Sequence, residues 1–142
     1  NPSRKTVVSS TAWKWIAGGV GSGNAVAVSP SFTPLISGAT PIWISQYCAP
    51  PCTVQLFTDF VLNPGESVKT ASVQAQVSET ANLLVGGNLV QTVVGNAISP
   101  AINIPNTAFQ TGMNQINLQF MAFNFSVSNP GVNAKFEVDV CP

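Results

Sequence analysis

The sequence predicts an all-β fold, a single domain over residues 1–142 built as an antiparallel β-sandwich or jelly roll. Eleven Pro and eleven Gly divide the chain into short runs, and Val, Thr, Ile and Phe dominate those runs. Several runs alternate apolar and polar residues with a period of two, which places one set of side chains on one face of a sheet. Helical periodicity is hard to find.

Eleven segments have the composition of strands. The alternation is clearest at 72–77, 115–120 and 135–140. Residues 1–12 are predicted to hold an extended N-terminal strand or arm. The predicted strands, in chain order, lie at 5–10, 12–16, 25–29, 41–46, 53–62, 67–77, 81–85, 88–94, 101–104, 114–126 and 132–140.

Short turn motifs separate these strands. The segment 63–66, Asn-Pro-Gly-Glu, carries Pro and Gly at the positions that a type II turn requires. The segment 86–88, Gly-Gly-Asn, is a tight hairpin signal, and 129–131, Asn-Pro-Gly, is a further turn. The glycine-rich segment 18–23 predicts a surface loop, because neither a following Lys-Ser/Thr pair nor a helix pattern supports phosphate binding there.

Charge is scarce. Five basic and five acidic residues make up 7 % of the chain, and the polarity comes instead from 14 Ser, 11 Thr, 13 Asn and 8 Gln. Five scattered cations form no basic stripe for nucleic acid, and no run of 18 apolar residues is present to span a bilayer. A surface with so little charge favours association, so we expect a homo-oligomer or polymer. The start at Asn1, with neither Met nor a hydrophobic leader, suggests a mature chain after signal removal or an excised domain.

Three cysteines are present, Cys48, Cys52 and Cys141, and there is no His. A structural zinc site usually needs four Cys, His or carboxylate ligands, so neither a metal nor another cofactor is predicted. A disulfide in an oxidising compartment is the simpler interpretation. Cys48 with Cys52 would close a tight Pro-Pro turn, and the alternative pairs Cys141 with one of them. The local pair is favoured, which leaves Cys141 as an unpaired thiol or a link between subunits.

The region from Val54 to Val140 resembles the galactose-binding-domain-like jelly rolls of extracellular proteins. The resemblance covers spaced turn and strand motifs, and it departs from the family at Gly86-Gly87, where those domains often have Asn-Gly, and over 17–52. It implies a sandwich fold and carbohydrate binding. A calcium site, which some members carry, is not predicted, because no two carboxylates have a calcium-loop spacing. The motifs lie at 13–15, 57–60, 63–65, 71–77, 83–90, 112–116 and 129–136.

Catalysis is not expected. A serine nucleophile needs a base, and no His is present to act as one. Glu137 and Asp139 lie two residues apart on one strand face, which is typical of a solvated outer surface.

Four aromatic residues are candidates for stacking against a sugar or for an interface: Trp13, Trp15, Trp43 and Tyr47. Trp13 and Trp15 share a strand face, and burial in a core is the competing interpretation. Asn124-Phe125-Ser126 is the one N-glycosylation sequon, so Asn124 is a candidate for a glycan if the protein is secreted.

Two hypotheses for function follow. The first is a non-enzymatic, extracellular structural subunit that assembles into a filament, sheath or surface layer, with Thr6, Val7 and Val8 as a segment for strand addition to a neighbour. The second is a carbohydrate-binding, lectin-like module of a larger extracellular protein.

Overall fold

The computed structural model describes residues 3–32, 34–95, 97–109 and 114–142, and the strands in these ranges are paired antiparallel in two sheets. The predicted all-β sandwich is confirmed. The strands are β1 Ser3–Val8, β2 Lys14–Ala17, β3 Gly21–Asn24, β4 Val26–Ala27, β5 Ile42–Trp43, β6 Cys52–Val61, β7 Ser67–Val77, β8 Thr80–Val85, β9 Asn88–Val94, β10 Ile102–Ile104, β11 Gln115–Asn124 and β12 Val132–Cys141. A single turn of 3-10 helix, Asn106–Phe109, follows β10.

The two sheets, called sheet A and sheet B from here on, differ in their edges. Sheet A runs β10-β7-β12, and β12 then pairs with β1 along most of its length and with β5 at Val132; β4 lies beyond β5. Sheet B runs β3-β2-β6-β11-β8-β9, so β3 and β9 are its edge strands. Consecutive strands therefore cross between sheets several times before β12 closes sheet A.

The core lies between the sheets and is filled by the alternating residues that the sequence indicates. All three predicted apolar sets point inward: Val73, Ala75 and Val77 of β7, Ile116, Leu118 and Phe120 of β11, and Phe136, Val138 and Val140 of β12. Trp13 packs its ring against Phe120 and Phe136, with centroid separations of 6.3 Å to each. Pairs at this spacing add about 0.5–1.5 kcal/mol beyond the burial of their area.

The prediction of a surface loop over 18–23 is corrected in part. Residues 21–23 belong to β3, an edge strand of sheet B. The two glycines there have different causes. A Cβ built on Gly23 would meet Trp15 Nε1 at 3.3 Å, whereas Gly21 has a φ of +144°, which residues with a side chain rarely adopt. Gly23 thus leaves room for a large, fully buried side chain on β2.

Two predicted strands are shorter in the structure than the sequence predicts. The segments 25–29 and 41–46 reduce to β4 and β5 of two residues each. Prolines next to them, Pro30 and Pro41, have no N–H to give to a ladder. Residues 112 and 113, which carry part of the resemblance, lie outside the described residues.

A chain of buried polar side chains crosses sheet A. Asn133 of β12 donates from Nδ2 to Gln76 Oε1 of β7 at 3.0 Å, and its Oδ1 accepts from Ser9 Oγ at 3.1 Å. Gln76 in turn accepts from the Ile36 backbone N–H and donates to the Pro34 carbonyl. All three side chains are fully buried. This hydrogen-bonded series of side chains therefore connects β7, β12, the residue after β1 and the loop over 34–36.

Replacing Asn133 by Ala should lower the free energy of unfolding by about 2–3 kcal/mol, because two buried hydrogen bonds are lost and a small cavity is left. Urea unfolding followed by tryptophan fluorescence measures the change. Asn103→Ala on the exposed face of β10 is the matched control and should change stability by less than about 0.5 kcal/mol. Equal effects of the two substitutions would contradict a structural role for the buried chain.

Candidate functional site

A pocket of about 450 Å³ opens at one end of the sandwich, between the loop after β5 and the loop between β11 and β12. Its lining side chains are all uncharged and combine aromatic and proline rings with amides and hydroxyls. They include Trp43, Gln46, Tyr47, Pro50, Ser126 and Ser128. Such a lining suits a neutral ligand that offers both apolar faces and hydrogen-bonding groups.

The loop after β5 forms the first wall and is tied at both ends. Near its start, the Ser45 hydroxyl accepts a 3.1 Å hydrogen bond from Trp15 Nε1 in the core. Farther along, Cys48 and Cys52 form the predicted disulfide, with their Cα atoms 5.9 Å apart. Between these ties Tyr47 stands 82 % exposed at the rim, whereas Trp43 is 8 % exposed at the base.

The segment 124–127 forms the second wall, and Glu79 holds its backbone. One carboxylate oxygen, Glu79 Oε1, accepts from the N–H groups of Phe125, Ser126 and Val127 at 3.0–3.1 Å. The Asn124 side chain closes the same turn, because its Oδ1 accepts from Val127 N–H and its Nδ2 donates to the Val127 carbonyl. Both walls are therefore fixed before any ligand arrives, which lowers the ordering cost of binding.

Asn124, the sequon asparagine, has an inward and partnered side chain. It is 4 % exposed, and the Nδ2 atom that a glycan would modify is hydrogen-bonded to the Val127 carbonyl at 3.1 Å. Glycosylation would require this turn to open. The prediction of a glycan at Asn124 is not tested by this geometry.

The aromatic candidates divide between the core and the pocket. Trp13 and Trp15 are buried between the sheets, where they present no face to a ligand in solution. Trp13 Nε1 donates to the Val8 carbonyl at 2.9 Å. Trp43 and Tyr47 both line the pocket, Trp43 as a buried side chain at its base and Tyr47 as an exposed ring at its rim.

The remaining candidates lie away from the pocket, on sheet A. Cys141 is a free, partly exposed thiol at the end of β12. Thr6, Val7 and Val8 lie in β1 and pair with Glu137, Phe136 and Lys135 of the same chain. This segment is thus a strand of its own sheet and not a free arm, because β12 offers it an open edge.

Sequence reasoning missed several residues that build the pocket, chiefly Glu79, Ser45, Gln46, Ser126 and Ser128. Their roles depend on loops that are distant in sequence and adjacent only in the fold. The one available signal was Glu79 itself, an acidic residue in a chain that has few.

Searches for related proteins identify no family. No family model matches the chain, and no curated protein matches it. The resemblance to galactose-binding-like jelly rolls therefore stays a prediction. Within the described residues, the structure holds no helix that is both long and apolar enough to cross a membrane.

Glu79→Ala should loosen the second wall without unfolding the sandwich. Amide hydrogen exchange at Phe125, Ser126 and Val127 should accelerate about tenfold or more, because each hydrogen bond to a charged acceptor is worth roughly 1.5–3 kcal/mol. NMR-detected exchange measures this residue by residue. Asp59→Ala, on the exposed side of β6, is the control and should leave these three amides unchanged. Unchanged exchange in Glu79→Ala would show that the carboxylate does not hold the loop.

Proposed function

We propose that this protein is a non-enzymatic, extracellular structural subunit that assembles with copies of itself. The observation that carries the proposal is the sparsely charged outer surface of sheet B, whose edge strand β9 has no charged residue. The disulfide supports an extracellular setting, because such bonds persist in oxidising compartments.

The few charges of the chain are concentrated on one side of the sandwich. Seven of the ten lie on β1, β7 or β12 or in the turn before β7: Arg4, Lys5, Glu66, Lys69, Lys135, Glu137 and Asp139. The six strands of sheet B carry only Lys14 and Asp59. Sheet B therefore lacks the charge that normally keeps a sheet surface solvated and separate.

Strand β9 is the part of this surface that is most open to pairing with another chain. It has no Lys, Glu or Pro, the residues that commonly keep edge strands from pairing with other chains. Leu89 is 63 % and Val94 is 75 % exposed on it. A stacked pair of rings, Phe123 and Phe125, adds further partly exposed apolar area on and beside β11. Contact with another copy would cover these groups.

Placing charge on this surface should prevent assembly. The double substitution Leu89→Lys with Val94→Lys should shift the protein toward monomer, because two ammonium groups would be desolvated or would repel their counterparts in a packed interface. Size-exclusion chromatography with light scattering measures the mass, and negative-stain microscopy shows the assemblies.

The matched control is Ser72→Lys, which adds a charge to the outer face of sheet A. It should assemble like the unmodified protein. Assembly that survives Leu89→Lys with Val94→Lys, at unchanged stability, would contradict the proposal that sheet B mediates it.

A second candidate function, saccharide binding, is favoured by the pocket. The exposed ring of Tyr47 offers an apolar face to the C–H groups of a sugar, and Gln46, Ser126 and Ser128 offer neutral hydrogen-bonding groups. The two tied walls support binding without rearrangement. This function would be compatible with assembly, since the pocket lies at the end of the sandwich and β9 at its side.

Titration with galactose, glucose and N-acetylglucosamine tests the pocket. Trp43 borders it while Trp13 and Trp15 are buried, so a change in tryptophan emission would report on the site. Tyr47→Ala should weaken binding about tenfold, which is about 1.4 kcal/mol, whereas Tyr47→Phe keeps the ring and most of the affinity. Val61→Ala, an exposed apolar residue at the opposite end of β6 from Cys52, is the control and should leave binding unchanged. Absence of measurable binding for all three sugars would contradict a role in recognising them.

A further inference from the structure

Strand β1 is attached to the molecule through a single neighbouring strand. It pairs with β12 alone, over six residue pairs from Ser3↔Val140 to Val8↔Lys135. None of its residues is fully buried, and Val7 is the side chain that it adds to the packing around the core. Strands β7, β11 and β12 each bury four or more residues completely. Removing β1 would therefore uncover less apolar surface than removing any of these.

The ion pairs of the described residues all involve β1. Arg4 Nε lies 3.0 Å from Asp139 Oδ1, and Arg4 Nη1 lies 3.2 Å from Glu137 Oε2. Lys5 Nζ lies 2.7 Å from Glu66 Oε1, at the end of the sandwich. A basic strand thus sits in an acidic groove, which is formed by the open edge of β12 and the turn before β7.

These contacts lower the pKa of two carboxyl groups in the groove. The hydrogen bond from Arg4, with a second one from Thr70, lowers the pKa of Asp139. The hydrogen bond from Lys5, with one from the Asn63 backbone, lowers the pKa of Glu66. Because both pKa values fall below those of the unfolded chain, the stabilisation is present above the unfolded values and is lost as the pH falls through the folded ones.

The exposed ion pairs of Arg4 add little stability, but such pairs set partner choice and register, and the partly buried Lys5–Glu66 pair acts beside them. A strand that stayed permanently in its own sheet would gain little from them. A strand that had to find the same groove on another molecule, among many uncharged edges, would gain specificity. Because charged residues are scarce elsewhere on the chain, their clustering around β1 indicates that they select this groove.

We propose that β1 exchanges between copies: residues 3–9 of one chain fill the groove along β12 of a second copy, where Arg4 and Lys5 pair with the Glu66, Glu137 and Asp139 of that copy. This inference rests on the proposed self-assembly. Exchange replaces the contacts of β1 by the same contacts on another copy, so the sheet B contact still drives association, and exchange links the copies that it brings together. Exchange makes the same contacts as the closed chain, so the groove is already shown to fit its occupant. Repeated head to tail, it links copies into an open chain.

The hinge is the turn between β1 and β2. Ser9 still pairs with Ala134 of β12, and Trp13 is already buried between the sheets. Residues 10–12 connect them through a turn in which Trp13 N–H donates to the Ser10 carbonyl and Ala12 N–H donates to Ser10 Oγ. Extension of the chain opens these two local hydrogen bonds while Trp13 stays in its own core. The bonds that Trp13 Nε1 and Thr40 N–H donate to the Val8 and Ser9 carbonyls would be made instead to the same carbonyls of the exchanged strand.

Disulfide trapping between two different variants tests the exchange. Thr6 and Glu137 are directly paired, as are Val8 and Lys135. One variant carries Thr6→Cys and the other Glu137→Cys, each with Cys141→Ser and a tag of different size. They are unfolded with the native disulfide intact, refolded together and oxidised. The heterodimer bond can form only between chains. A second mixture, Val8→Cys with Lys135→Cys, keeps every ion pair and guards against a folding defect in the first.

The control mixture is Thr6→Cys with Asn117→Cys, whose second thiol lies on β11 of sheet B. We expect at least about tenfold more heterodimer in both paired mixtures than in the control, because a bound strand presents its thiol at millimolar effective concentration. Heterodimer at the control level in both mixtures, in samples that light scattering shows to be assembled, would overturn the exchange and leave self-assembly standing. Monomers alone, with no trapped heterodimer, would overturn both.

Discussion

The buried chain of polar side chains through Asn133 is the constraint on which sheet A depends. A polar group without a partner in a dry interior costs about as much as several good apolar contacts, so Ser9, Gln76 and Asn133 have to meet with the correct geometry. A slip of two residues between strands would keep the apolar side chains on the buried face, but it would separate these polar partners. The buried chain sets where β1 ends, how β12 aligns with β7, and where the loop over 34–36 returns to the sheet.

The distribution of charge gives the molecule two unlike sides. On sheet A, ion pairs join Arg4 of β1 to Glu137 and Asp139 of β12, and Lys5 to Glu66 in the turn before β7. On sheet B, the strands carry only Lys14 and Asp59, and the edge strand β9 has no charged residue. The first arrangement favours specificity and the second favours adhesion. Together they suit a molecule whose surfaces are meant to be covered.

The pocket shows how far local sequence reasoning reaches. The disulfide was predictable, because a turn at the Pro-Pro pair brings two cysteines four residues apart within bridging distance. The sequence named Trp43 and Tyr47 as stacking candidates only as members of a group of four. Trp13 and Trp15 have the same chemistry, and only the packing of the two sheets places them inside. Glu79 gave no local sign that it would hold three amides 46 to 48 residues away.

The sequence by itself determined the all-β class, most strand positions and the inward face of each long strand. It did so because a period of two is a local property, and turn residues such as those at 63–66 and 86–88 act on their immediate neighbours. The tertiary structure decided which strands pair, which tryptophans are buried, that Gly21–Asn24 is a strand, and that the scarce charges meet around β1. These depend on contacts between residues far apart in the chain, whose free energy appears only when both sheets have formed.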